Sequence, residues 1–239
     1  MDWLNSFSKA PGIAIGGNEI PIAIKRHPTA KRLTMRVAPD GSEIRVTMPR
    51  WGQSREAIAF AESRLTWLEK QFAAIEPPAN IGHGSSLPFR GENIAIRWDA
   101  SLPRKPVLSR DQLSLGGPGE GLSRRIERWL RAQGLELMTV DLAHYCDKAG
   151  VPTPKIALSS AQRRWGSCST SGTVRMNWRL IMAPDAVRRS VVAHEVAHLI
   201  HFDHSPAFHA LLGELFEGNI SAANHWLKKH GRSLYRHFG

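Results

Sequence analysis

The sequence predicts an α+β fold in which a β-rich N-terminal region precedes a mainly helical C-terminal half. Three observations carry this: apolar and polar residues alternate from 20 to 48 and again from 85 to 116, the spacing switches to threes and fours beyond 122, and a Gly-rich stretch at 116–121 separates the two patterns. The domains read from this are a tail over residues 1–19, a β-rich region with one helix over 20–121, and a second domain over 122–239.

In the first region, Ile20 to Ile24, Leu33 to Val37 and Ile44 to Met48 read as strands, with Asp40-Gly41 turning the chain between the last two. From Ser54 to about Ala74 the pattern is helical, with Ile58, Ala61, Leu65 and Leu68 in phase, Ser54 as N-cap and Pro77-Pro78 as the stop. Strands follow around Ile94 to Trp98, Val107-Leu108 and Leu113 to Leu115. Beyond the Gly-rich stretch, Ser123 to about Lys148 predicts a long amphipathic helix. Its apolar stripe is Ile126, Trp129, Leu130, Leu137, Val140, Leu142 and Ala143, and Gly134 is where an interruption would fall. Lys155 to Ser159 and Thr173 to Ile181 alternate like strands. A helix starting near Asp185 carries the histidines, another opens at Ser205-Pro206, and a last one spans about Ser221 to Lys229. No internal repeat is visible.

At 239 residues the chain can bury a core without staples. No stretch approaches the ~20 apolar residues that span a bilayer, and Met1 to Ala10 lacks an export signal, so a soluble, cytoplasmic protein without membrane contact is expected. Cys146 and Cys168 have no CxxC spacing and read as reduced thiols. The net charge of +11 admits nucleic acid or a nucleotide as partner, although the basic pairs never merge into a longer block.

His194-Glu195-Val196-Ala197-His198 is an H-E-x-x-H segment. Residues i and i+4 share one helix face, so two imidazoles can reach one ion. Glu195, roughly 100° further round, can lean toward a metal-activated water without displacing either ligand, which makes it the candidate general base. A catalytic Zn²⁺ needs a third protein ligand and an open fourth position. His201 would lie ~10.5 Å along the helix from His194, too far to share one ion. His204 precedes a new helix start, where a chain reversal can return it over the metal. It is the favoured third ligand, with Asp203 and the more distant Glu214 as alternatives. The spacing equals that of the metzincins, but His201 replaces their turn glycine, so the turn must be made differently.

Trp165-Gly166-Ser167-Cys168, then Val174 to Leu180 with Pro184 soon after, then the H-E-x-x-H segment and His204-Ser205 with Phe208, resemble the YgjP-like metallopeptidase domain family, itself similar to the SprT-like and WLM metalloproteases. The resemblance covers about residues 20 to 235. It implies a zincin-like core of active-site helix and small antiparallel sheet, one zinc on His194, His198 and His204, and Glu195 as the catalytic residue of a hydrolase. Asp203 and His209 stand where the family has Asn and Trp.

The expected activity is that of a zinc metallopeptidase acting on protein or peptide. The alternatives are a metal-dependent hydrolase of nucleotides or phosphoanhydrides, and a protease delivered to nucleic acid by its charge. In zincins a strand beside the cleft pairs with extended substrate, a role the resemblance gives to Thr173 to Ile181. Arg164, Arg175 and Arg179 flank that segment and, with Asn177, are the candidate substrate-binding residues. Trp165 and Trp178 read as core aromatics, Gly166 as a turn or close backbone approach, and His209 as a minor candidate for proton transfer.

Overall fold

A computed structural model describes residues 11–75, 79–169 and 172–238. The chain divides into two compact units, Met1–Pro77 and Pro78–Gly239. Among the described residues the architecture is mixed α/β, with three small sheets and six α-helices.

In the first unit, β1 (Gly12–Ile15), β2 (Asn18–His27), β3 (Thr34–Val37) and β4 (Ile44–Pro49) form a sheet of order β1-β2-β4-β3. The outer pairs are antiparallel and the central pair β2–β4 is parallel. Strand β1 falls in the stretch expected to be a tail. Its hairpin turns on Gly16 and Gly17, both with positive φ, the conformation a tight two-residue turn requires. The expected single helix is two, α1 (Ser54–Glu62) and α2 (Leu65–Ala73). Arg64, at φ −115° and ψ 20°, breaks the helical path between them. The N-cap is Gln53, whose backbone N–H donates to the Glu56 carboxylate at 2.9 Å, rather than Ser54. The proline stop at 77–78 lies outside the described residues. Ile13, Ile22, Ile44, Val46 and Met48 of the sheet pack on Ala57, Ala61 and Leu68 of the helices.

The second unit opens with the same topology: β5 (Ser86–Phe89), β6 (Glu92–Trp98), β7 (Val107–Ser109) and β8 (Gln112–Leu115) lie in the order β5-β6-β8-β7, again with a parallel central pair. A repeat invisible in sequence is therefore present in strand order. This sheet shares its core with the long helix that follows, Leu87, Ile96, Leu113 and Leu115 meeting Ile126 and Leu130. That shared burial puts the division between units ahead of residue 79, not at the 116–121 stretch.

Helix α3 (Leu122–Lys148) runs through Gly134 without interruption. A Cβ there would sit 3.4 Å from Ile181 and 3.5 Å from the Trp178 carbonyl, so the glycine serves close packing. Val140 is 63% exposed and Ala143 is also exposed. The buried stripe runs instead through Met138, Asp141, Leu142, Tyr145 and Cys146. Strands β9 (Lys155–Ser159), β10 (Gly166–Cys168) and β11 (Thr173–Asn177) form a sheet of order β10-β11-β9. Because β11 is antiparallel to β10 but parallel to β9, the sheet is mixed rather than antiparallel. The alternation read as strand through Ile181 ends early: Trp178–Met182 is a 3₁₀ helix with every side chain buried. Helices α4 (Asp185–Ile200), α5 (Pro206–Leu215) and α6 (Ile220–His230) follow. No helix among the described residues is long and apolar enough to cross a membrane.

Candidate metal centre

Helix α4 is rich in β-branched residues of modest helix propensity, so burial holds it. Val187, Val191, Val192, Ala193, Val196 and Ala197 are all buried. Its start is fixed electrostatically. Asp185, in the first turn where a carboxylate suits the helix dipole, accepts from Arg90 and Arg188. Burial works upward on the Asp185 carboxyl, but these two guanidinium groups outweigh it and hold it below the usual range. Arg188, 3% exposed, also donates to the buried Asp141 of α3 at 2.8 Å, and Arg189 pairs with Glu217.

The chain leaves α4 through His201, which is extended (φ −122°, ψ 107°) and bonds its N–H to the Ala197 carbonyl. An extended residue makes this turn without a left-handed glycine. Asp203 then accepts from the Ser205 N–H, and Ser205 caps α5 by accepting from the Phe208 N–H. His204 sits between helix exit and helix entry, and the reversal returns it to the face of His194 and His198.

The three imidazoles converge: one ligand atom from each lies within 4.8 Å of the others, and the Nε2 atoms of His194 and His204 are 3.4 Å apart. His198 Nδ1 lies 2.9 Å from the His201 carbonyl, so this nitrogen donates and Nε2 is left as the free lone pair. Phe208, fully buried, packs its ring centroid 4.5–4.9 Å from all three imidazoles. Burial, then the charges of His198, His204 and His209, depress His194 to about 4, so at neutral pH it offers an unprotonated nitrogen. A tetrahedral divalent ion suits this all-nitrogen set. Asp203 and Glu214 are exposed and stand outside it; Asp203 acts as a local cap.

Glu195 is 5% exposed and its Oε2 has no hydrogen-bond partner. Burial pushes its carboxyl up to about 7, against the opposing pull of Arg164 and of the Cys168 backbone N–H that donates to it. A cavity of about 230 Å³ opens beside it, with Arg164, Trp165 and Asn224 among its walls and Val191, Leu212 and Leu227 as apolar lining.

The other sequence candidates separate. Arg164 lines the cavity and Arg175 is exposed on β11. Asn177 and Arg179 are buried and face the interior, which corrects their reading as substrate contacts. Asn177 donates to the Ala161 carbonyl at 2.8 Å and to the Tyr235 hydroxyl at 3.0 Å, and accepts from the Arg179 N–H. The Arg179 guanidinium stacks between Trp178 and Tyr235 and donates to the Phe238 carbonyl, so both residues fasten the C-terminal segment. Trp178 is core, whereas Trp165 lines the cavity. His209 is exposed, 6.3 Å ring to ring from His204. Strand β11 is central, so both its edges are occupied and it cannot pair with substrate; the edge strands are β9 and β10, of which β10 packs against α4. Trp165 and Ser169 bond toward β11, so by antiparallel alternation Gly166 and Cys168 present their backbone groups outward, where Cys168 meets Glu195. Sequence reasoning missed Asp141; its only signal was an acid within the apolar stripe of α3.

Three converging imidazoles, two of them on the same helix as a buried carboxylate, place this chain in the class of candidate metal-dependent enzymes. The model of the YgjP-like metallopeptidase domain matches residues 31–230, and the chain belongs to that family. No curated protein matches it. Among solved structures, the metallopeptidase zymogen abylysin of Pyrococcus abyssi is similar at 21% identity and a TM-score of 0.35, over 43% of this chain and 99% of that one.

Proposed function

We propose that this protein is a zinc-dependent peptidase in which His194, His198 and His204 hold the ion and Glu195 is the general base, on a zincin-like core. The observation that carries the reading is the state of Glu195: buried, with one oxygen unpartnered, on the same helix as two of the imidazoles. When bound, zinc would polarise a peptide carbonyl and acidify a water. Glu195 takes the proton from the attacking water and hands it to the leaving amine, a task suited to a carboxyl whose pKa is near the working pH. The Cys168 N–H orients that carboxylate. The outward backbone of β10, apart from the Cys168 N–H that Glu195 holds, offers an extended peptide a partner, and the neighbouring cavity takes one of its side chains.

The test is elemental analysis of wild type, His194→Ala and Glu195→Gln, with cleavage of casein or a quenched peptide. One zinc per chain, lost in His194→Ala and retained without cleavage in Glu195→Gln, supports the reading. Failure to bind zinc even on titration overturns it, and release of phosphate or pyrophosphate from nucleotides in place of peptide cleavage would move the chemistry to phosphorus.

A further inference from the structure

Residues 20–39 and 44–55 together hold eight Lys and Arg and no Asp or Glu. The first unit brings these segments side by side. Parallel β2 and β4 put Lys25 beside Thr47, Arg26 beside Met48 and His27 beside Pro49, and β3 enters with Thr34 opposite Thr47 and Arg36 opposite Arg45. The end of β2, the loop carrying Lys31 and Arg32, and the turn carrying Arg50 and Trp51 therefore gather at one end of one sheet. Basic pairs that are scattered in sequence become a single rim.

The rim is exposed and uncompensated. Lys25, Arg26, Lys31, Arg32, Arg50 and Arg55 are all exposed, and none of the six is in an ion pair among the described residues. The adjacent acid, Glu56, already accepts the Gln53 N–H at the start of α1. Arg26 donates to the Ser54 hydroxyl at 2.9 Å, so it is steered without being neutralised. So many like charges in one place repel, and a polyanion relieves that repulsion. A second observation narrows the partner: Trp51, next to Arg50, is 80% exposed and has no place in the core. An aromatic platform amid phosphate-binding cations fits a strand whose bases are free to stack, whereas a duplex keeps its base faces inside.

We propose that the first unit binds single-stranded nucleic acid, with Arg26, Lys31, Arg32, Arg50 and Arg55 on phosphates and Trp51 stacked on a base. This activity is separate from the proposed peptidase and does not depend on it. On one chain the two would raise the local concentration of the peptidase near proteins bound to a single strand.

The experiment is fluorescence anisotropy of a short labelled DNA or RNA single strand with the full-length protein across a salt series, using wild type, Trp51→Ala and the double variant Arg50→Gln/Arg55→Gln. Circular dichroism controls for folding. The logarithm of the affinity is expected to fall linearly with log salt, Trp51→Ala to weaken binding about tenfold through lost stacking, and the double variant to lower the salt slope by about 1.4. No binding at low salt overturns the proposal. So does binding that Trp51→Ala leaves unchanged, or equal affinity for duplex, either of which reduces the rim to diffuse charge attraction. Binding to phosphatidylserine vesicles but not to the oligonucleotide would assign the rim to a membrane surface and overturn it as well.

Discussion

Gly166 and Glu195 occupy adjoining space that only a residue without a side chain can share: a Cβ on Gly166 would lie 2.6 Å from Glu195 Cγ and 2.7 Å from Cδ, and nearer still to Oε1. Edge strand β10 thus presses its backbone against the carboxylate, and Cys168, two residues on, donates its N–H to it. Gly166→Ala must displace Glu195. Because a misplacement of ~1 Å costs catalysis about 100-fold, this variant is expected to lose roughly that much kcat while keeping the metal content of wild type, since the atoms that crowd a Cβ at residue 166 are those of Glu195. Steady-state kinetics beside metal analysis check this, and loss of zinc would show that the strand supports the ligands rather than the base.

Glu195 is also a liability in the metal-free protein. Its carboxyl is raised from 4.5 to about 7, so between these values the folded state holds a proton that the unfolded state has released, and stability falls as pH rises through that window. His194, lowered from 6.5 to about 4, has the opposite sign: the unfolded state binds the extra proton, and stability rises from about pH 4 to 6.5. The slopes oppose each other, so variants must separate them. Urea denaturation of chelator-treated protein is expected to show that Glu195→Gln removes the falling slope and leaves the rising one. An unchanged slope in Glu195→Gln would mean that the metal-free carboxylate is solvated.

Much of this centre was legible in sequence because an i, i+4 histidine pair and a helix start at Ser205-Pro206 are local signals. They made His204 the favoured third ligand, with Asp203 and Glu214 left as alternatives. What stayed hidden was set by tertiary partners. The alternation of Val174, Met176, Trp178 and Leu180 looks like one strand, yet Asn177 caps a 3₁₀ turn by accepting the Arg179 N–H, and the last two residues are buried within that turn. Arg179 read as a substrate-binding cation; only the fold supplies Trp178 and Tyr235 on either side of it. The cationic rim is the same case in reverse, since Arg26 and Arg50 become neighbours only through strand pairing. The two four-stranded sheets share their strand order without visible sequence periodicity, because topology constrains hydrophobic positions rather than identities.

Asp141 and Arg188 form a buried pair between α3 and α4, with side chains 10% and 3% exposed and 2.8 Å apart. Removing Asp141 leaves the buried Arg188 with only the part-exposed Asp185 as partner. Asp141→Ala is expected to destabilise the protein by about 3–5 kcal/mol, whereas the double variant Asp141→Leu/Arg188→Met, which removes both charges, should recover most of that loss. Chemical denaturation of the three proteins measures it. A double variant no more stable than Asp141→Ala would mean that the link to Asp185, not the Asp141 pair, is what Arg188 contributes.

The cavity beside Glu195 bears on which peptides are cut. Val191, Leu212 and Leu227 give it an apolar interior, while Asn224 on α6 is exposed and stands at its wall. A volume of about 230 Å³ accommodates a large aliphatic or aromatic side chain, so peptides carrying Leu or Phe next to the cleaved bond are expected to be preferred over those carrying Ala. Asn224→Trp would narrow the cavity from its solvent side without entering the core. Because each methylene of lost fit is worth about 1–3 kcal/mol, the ratio of kcat/KM for a Phe-containing peptide over its Ala counterpart should drop at least about tenfold in this variant, with cleavage of the Ala peptide largely kept. An unchanged ratio would show that substrate side chains lie elsewhere, and an equal loss on both peptides would mean that α6 holds the substrate backbone rather than selecting its side chain.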